Sequence, residues 1–143
     1  MRDEHLKHAE LTEKLIAIYF EIYNELGYGF LECIYEKAFT LLLEERKIPF
    51  SRQSTFDVSF RGTVLGEFRA DLIVDGAVIV ELKAAQKIDL AHEKQVLNYL
   101  KATNVEVGLI FNFGPTSQFR RLVFGNERKV NLRVKGAMAA TAD

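Results

Sequence analysis

GEFRADLIVDGAVIVELK, running from Gly66 to Lys83, is the stretch that decides the fold. Asp75-Gly76 in its middle is a turn signal. Ala70, Leu72 and Val74 form an apolar set before the turn, and Val78, Val80 and Leu82 form one after it. Side chains of a strand alternate between faces with period two. A two-residue turn would therefore send the two sets to opposite faces, whereas a three-residue loop or a bulge sends them to the same face. Register is strongly set wherever one face is buried, so the stretch reads as a hairpin with an odd loop and Gly76 at a positive φ. Asp71, Glu81 and Lys83 then share the other face with Arg69. Acids placed this way can hold a hard divalent cation, and a lysine beside them can steer a water or a phosphate. The plainer alternative is a solvated face of an antiparallel sheet.

Outward from the hairpin, Thr55 to Arg61 alternates Phe56, Val58 and Phe60 with polar residues and turns at Arg61-Gly62 into the strand Val64–Val74. Ala77–Lys83 is the third strand. Upstream, residues 4–26 carry Leu11, Leu15, Ile18, Ile22 and Leu26 at helical spacing, with Gly27 as the C-cap. Residues 30–46 read as a second helix with Leu31, Ile34, Ala38, Leu41 and Leu42 on its buried face, and Pro49 marks the exit. Downstream, Asp89 is an N-cap for a helix over about 90–102. Val105–Phe113 has the continuous apolar character of a strand buried on both faces, and Gly114-Pro115 breaks it. Leu122–Phe124 and Val130–Val134 read as further strands, and Gly136–Asp143 as a frayed tail. Residues 1–135 thus form one domain and 136–143 a flexible C-terminal tail.

The 143 residues suffice for one domain with a real core, and 48% hydrophobic with 27% charged residues is a soluble globular composition. No apolar run approaches the roughly 18 residues of a membrane span, and the charged opening MRDEHLKHAELTEK lacks the apolar core of an export signal. The single Cys33 allows no internal disulfide and reads as a small buried apolar residue, which fits a reducing, cytoplasmic setting. His5, His8 and His92 make no zinc pattern. Net charge is −1, yet residues 1–82 hold 9 Lys/Arg against 15 Asp/Glu while residues 83–143 hold 10 against 5. Lys83, Lys87, Lys94, Lys101, Arg120, Arg121, Arg128 and Lys129 of the basic half are available to a polyanion.

Four stretches in this order carry a family resemblance: Gly29-Phe30-Leu31-Glu32 with Tyr35, Arg69-Ala70-Asp71, Val80-Glu81-Leu82-Lys83-Ala84, and Gln95 to Thr103 with Gln95 and Tyr99 one helical turn apart. The chain resembles the PD-(D/E)xK nuclease superfamily from about Leu11 to Phe124, and within it the small GxxExxR-type family. It departs from that name at Tyr35, where the pattern has Arg. The resemblance implies an α/β fold with a restriction-endonuclease-like core, a mixed central sheet flanked by helices in the order α-α-β-β-β-α-β-β. It implies Mg²⁺ or Mn²⁺ on Asp71 and Glu81, with the Leu82 carbonyl as a third ligand and Glu32 on a second metal or a metal-bound water. The plain reading of Glu32 is a helix-start glutamate favoured by the helix dipole. Lys83 would orient the attacking water and stabilise negative charge, and Gln95 would position water or phosphate. Tyr99 would buttress Gln95 or simply pack in the core. His92, Lys87, Lys94 and Arg69 would border the nucleic acid.

The resulting expectation is metal-dependent phosphodiester hydrolysis, on DNA before RNA, with no membrane partner. So bare a core points to low sequence specificity or to a protein partner that supplies it. Two rivals stand beside it. One is a nuclease-like module that binds nucleic acid or protein without cutting, favoured by the balanced charge and opposed by the intact Asp71, Glu81 and Lys83. The other is a structural role in a homo-oligomer, through the outer faces of residues 4–26 and 119–134.

Overall fold

The computed structural model describes residues 7–129; the strand read at Val130–Val134 and the tail from Gly136 lie outside the described residues. The elements are α1 (Ala9–Leu26), α2 (Glu32–Glu45), β1 (Phe50–Phe60), β2 (Thr63–Val74), β3 (Val78–Lys83), α3 (Leu90–Ala102), β4 (Val107–Phe113) and β5 (Ser117–Val123), followed by one 3₁₀ turn at Asn126–Arg128. The five strands lie side by side in chain order. All neighbours are antiparallel except β3 and β4, which run parallel and are linked through α3. A parallel pair needs such a crossover. The result is the α/β, restriction-endonuclease-like arrangement, in the element order read from the sequence.

The hairpin has the odd loop. Val74 pairs with Val78 and Leu72 with Val80, so Asp75, Gly76 and Ala77 form a three-residue connection with Asp75 and Gly76 both at positive φ (54° and 62°). Leu72, Val74, Val78, Val80 and Leu82 accordingly share one core with α1 and α2. Ala70 does not join them. It is buried with Phe56, Ile73 and Ile79 in the second core, which α3 covers. The pleat is disturbed at this point: Gln53, between the pairs Arg52↔Leu72 and Ser54↔Ala70, has a left-handed backbone with φ 52°.

The first core is built on aromatic stacking. Tyr19 of α1 stacks on Phe111, and Tyr35 of α2 lies parallel to Phe113 at 4.0 Å between centroids. Phe39 packs on Phe111. These contacts rotate α2 away from the face read in the sequence. Its buried residues are Tyr35, Glu36, Phe39 and Leu43, while Leu31, Ile34 and Leu41 are exposed. Cys33 points outward for the same reason and is exposed, not buried. The sequence offers two helical stripes here, and the one carrying the large rings wins because β4 presents rings to receive them.

Other boundaries differ modestly. β1 begins at Phe50, five residues earlier than read, because residues 50–54 pair with the buried end of β2. β5 covers Ser117–Val123, so it starts well before Leu122. Its mixed composition hides it, since every inner residue is half-buried at the sheet edge. The α2 rotation has a direct test. Leu43→Ala should cost about 2–5 kcal/mol in chemical denaturation, as a buried leucine does, and Leu41→Ala about 0.5 kcal/mol. Equal costs would contradict the buried stripe.

Candidate active site

The β2–β3 ladder ends at Leu72↔Val80, although β3 continues to Lys83 alongside β4. Two carboxylates occupy the fork where the strands part. Glu81 Oε2 accepts from the Asp71 backbone N–H, and Asp71 Oδ2 accepts from the Leu82 N–H, each at 2.9 Å. These bonds replace the next rungs of the ladder, so each acid satisfies the other strand's buried donor. One oxygen of each acid, Asp71 Oδ1 and Glu81 Oε1, is left outside these bonds.

Glu81 is 4% exposed. Burial pushes its carboxyl up to about 8, and the adjacent Asp71 pushes the same way. Asp71 is likewise raised, chiefly by burial and against the Leu82 N–H bond that lowers it, with Glu36 and Glu32 adding repulsion and Lys83 relieving it. Lys83 is half-buried and lowers both acids. Like charges pressed together in a poorly solvated place disfavour ionisation, and strongly perturbed acids of this kind mark functional sites more often than ordinary surface.

The helices reach the fork from both sides. Glu32, exposed at the start of α2, accepts from the Ala84 N–H at 3.2 Å just beyond β3. It comes within electrostatic reach of both acids. Among the described residues, however, no three acids, histidines or cysteines gather closely enough to hold one metal ion. Tyr99 of α3 stacks on Phe68 at 3.9 Å, and its hydroxyl is raised by burial and then by Glu81 and Asp71. Packing and proximity to the acids therefore coexist in Tyr99. Gln95 lies one turn earlier and is exposed, and its side chain makes no hydrogen bond among the described residues. His92 closes a capping box with Asp89: the Asp89 N–H donates to His92 Nδ1 and the His92 N–H to Asp89 Oδ1. That ring nitrogen is thus committed to the helix cap, and only Nε2 remains for a phosphate. Arg69, Lys87 and Lys94 are exposed and make no ion pair among the described residues.

Three further residues surround the fork. Glu36 lies one turn after Glu32 and is buried, held by Arg52 Nε and Gln53 Nε2 at 2.9 Å each. Its i, i+4 spacing from Glu32 was the available signal. Asn112, fully buried on β4 opposite Lys83, clamps Ala85 by both its N–H (2.9 Å) and its C=O (3.0 Å). Gln118 accepts from the Ile88 N–H. Asn112 and Gln118 together pin the segment that follows Lys83. Tyr35, at the Arg position of the family pattern, holds the α1–α2 loop instead: its hydroxyl donates to the Gly27 carbonyl and accepts from the Phe30 N–H.

A family model of the PD-(D/E)XK nuclease superfamily matches residues 9–122. The chain belongs to that superfamily. A solved structure, the crystal structure of SSO0001, is similar in fold, with a TM-score of 0.53 at 16% identity over 96% of this chain and 66% of that one. No curated protein matches the chain. Among the described residues no helix is long and apolar enough to cross a membrane.

The fork predicts a distinctive pH response. Unfolded Glu81 titrates near 4.5 and the folded group near 8, so the folded state binds the proton more tightly. Its contribution is full below about pH 4.5 and is lost as pH rises to about 8. Metal-free wild type should therefore lose melting temperature across that window, and Glu81→Gln should lose distinctly less. Parallel pH profiles for the two proteins would remove the buried acid as the cause.

Proposed function

We propose that the protein hydrolyses phosphodiester bonds in nucleic acid, with Mg²⁺ or Mn²⁺ held by Asp71 and Glu81 and the Leu82 carbonyl beside them. The observation that carries this reading is the fork, where two interlocked carboxylates each keep one oxygen outside the hydrogen bonds made among the described residues, next to Lys83. The donors are hard oxygens, and their mutual repulsion is what a divalent cation relieves. Mg²⁺ commonly takes one or two carboxylates and keeps several waters, so a site with two protein acids suits it. When bound, such an ion neutralises phosphate charge and acidifies a water.

The remaining roles belong to the chain's own side chains. The Lys83 ammonium donates to the attacking water or a phosphate oxygen and stabilises the charge that develops there. Glu32, tied to Ala84, orients a water from the α2 side. Gln95 holds water or phosphate at the rim, and the stacked Tyr99 keeps that rim in place. DNA stands before RNA as the substrate. The finer assignment to a GxxExxR-type family rests on the four stretches named above, with Gly29 and Glu32 in the motif itself and Tyr35, whose buried ring cannot act as a cation, in place of its Arg.

Lys83→Ala should keep metal affinity in calorimetry and lose about 10²–10³ in cleavage rate. Glu81→Ala should lose metal affinity, and Gln95→Ala should cost less in rate than Lys83→Ala. Cleavage is assayed on single- and double-stranded DNA and RNA with Mg²⁺ or Mn²⁺. If wild type cuts none yet binds one in a salt-dependent way, the non-cutting binding module replaces the enzyme.

A further inference from the structure

A cleft of about 680 Å³ begins where the acid cluster ends. Its walls include Tyr28, Phe30 and Leu31 from the α1–α2 loop, Glu32 and Ala84 from the edge of the fork, and Gly114 from the β4–β5 turn. The loop residues are unusually bare: Tyr28 is 58% exposed, Phe30 49% and Leu31 75%. They are nonetheless fixed. Gly27 and Gly29, at φ 68° and 110°, bracket Tyr28 in a conformation that L side chains rarely adopt. Phe30 stands edge-on to the buried Tyr35 ring, whose hydroxyl ties both ends of the loop.

The chemistry of the cleft is selective. Among the described residues, Lys, Arg and His are absent from its lining, and its one charged residue is Glu32. A phosphate there would meet no counter-charge. The face of a base would meet aromatic rings, which stack with any base. Bases inside a duplex are already stacked and must be extruded at a cost of a few kcal/mol, so a fixed open platform suits a strand whose bases are free.

We propose that this cleft binds an unpaired nucleobase, stacked on Tyr28 with Phe30 beside it, so that the adjoining phosphodiester lies toward Glu32 and the fork. The substrate class is then single-stranded polynucleotide or the frayed end of a duplex. This rests on the phosphodiesterase reading above.

The test is the affinity of a labelled single-stranded DNA oligonucleotide and of its blunt duplex, by fluorescence anisotropy in Mg²⁺, in the Lys83→Ala background so that the strands survive. Adding Tyr28→Ala should weaken single-strand binding roughly 5- to 150-fold, the effect of losing one stacked base, and leave duplex binding within about two-fold. Tyr28→Phe should bind like the parent, and Tyr28→Leu like Tyr28→Ala. Circular dichroism melting checks that each variant is folded, and Phe30→Ala gives a second reading of the same platform. Unchanged single-strand affinity in folded Tyr28→Ala would overturn the proposal and leave the apolar cleft to a protein segment. Equal losses on both DNA forms would overturn it too. The two readings fail separately. A wild type that cuts nothing but binds single strands through Tyr28 defeats the enzyme and keeps the base site. A wild type that cuts, with Tyr28 irrelevant to binding, does the reverse.

Discussion

The structure depends on an exchange at one point: two carboxylates take the place of ladder hydrogen bonds where β2 and β3 separate. A strand that parts from its neighbour leaves buried N–H groups that must find other partners. Asp71 and Glu81 supply them across the gap, and this keeps the fork open while satisfying its backbone. The same geometry forces two acids together in a poorly solvated place, which is why both titrate high. The fold thus carries a local instability that protonation relieves, and proton binding to the folded state stabilises it.

Such a fork works only if its surroundings are rigid. The segment after Lys83 would be a free loop if it were held by its own sequence, Ala84-Ala85-Gln86. Instead Asn112 grips Ala85 by both backbone groups, Glu32 holds Ala84, and Gln118 holds Ile88. A side chain at Gly114 would collide with the Ala85 carbonyl, at 2.3 Å from where a Cβ would sit. On the other side, Tyr35 fixes the loop that delivers Glu32. The aromatic column of Tyr19, Phe111, Phe113 and Tyr35 transmits that rigidity from the core to the site.

What was legible in the sequence follows from which forces are local. The hairpin register could be read because period-two alternation and one turn signal overdetermine it. The Asp89 cap and the Gly27 stop could be read because capping is chemistry within a few residues. The buried face of α2 could not. Leu31, Ile34, Ala38, Leu41 and Leu42 make as good a helical stripe as Tyr35, Phe39 and Leu43, and only the rings on β4 decide between them. Glu36 escaped for the same reason, since its partners Arg52 and Gln53 lie 16 and 17 residues away. The acid pair itself was legible once the loop length was fixed, because on paired strands parity alone brings Asp71 opposite Glu81.

The division of charge along the chain acquires a physical sense from this arrangement. The acid-rich first half supplies Glu32, Glu36, Asp71 and Glu81, all gathered near the fork. The cations of the second half are spread over β3, α3, β5 and the segments beyond them, and at least three are committed within the fold: Arg120 pairs with Glu93, Arg121 donates to the Lys7 carbonyl, and Lys129 donates to the Thr103 and Val105 carbonyls. Among the described residues, no cation lines the cleft beside the acids. Long-range attraction of a polyanion is therefore weak here, and a short Debye length under physiological salt weakens it further. What the site itself offers is local: the fork presents two interlocked carboxylates, and the bare rings of the α1–α2 loop present an apolar face.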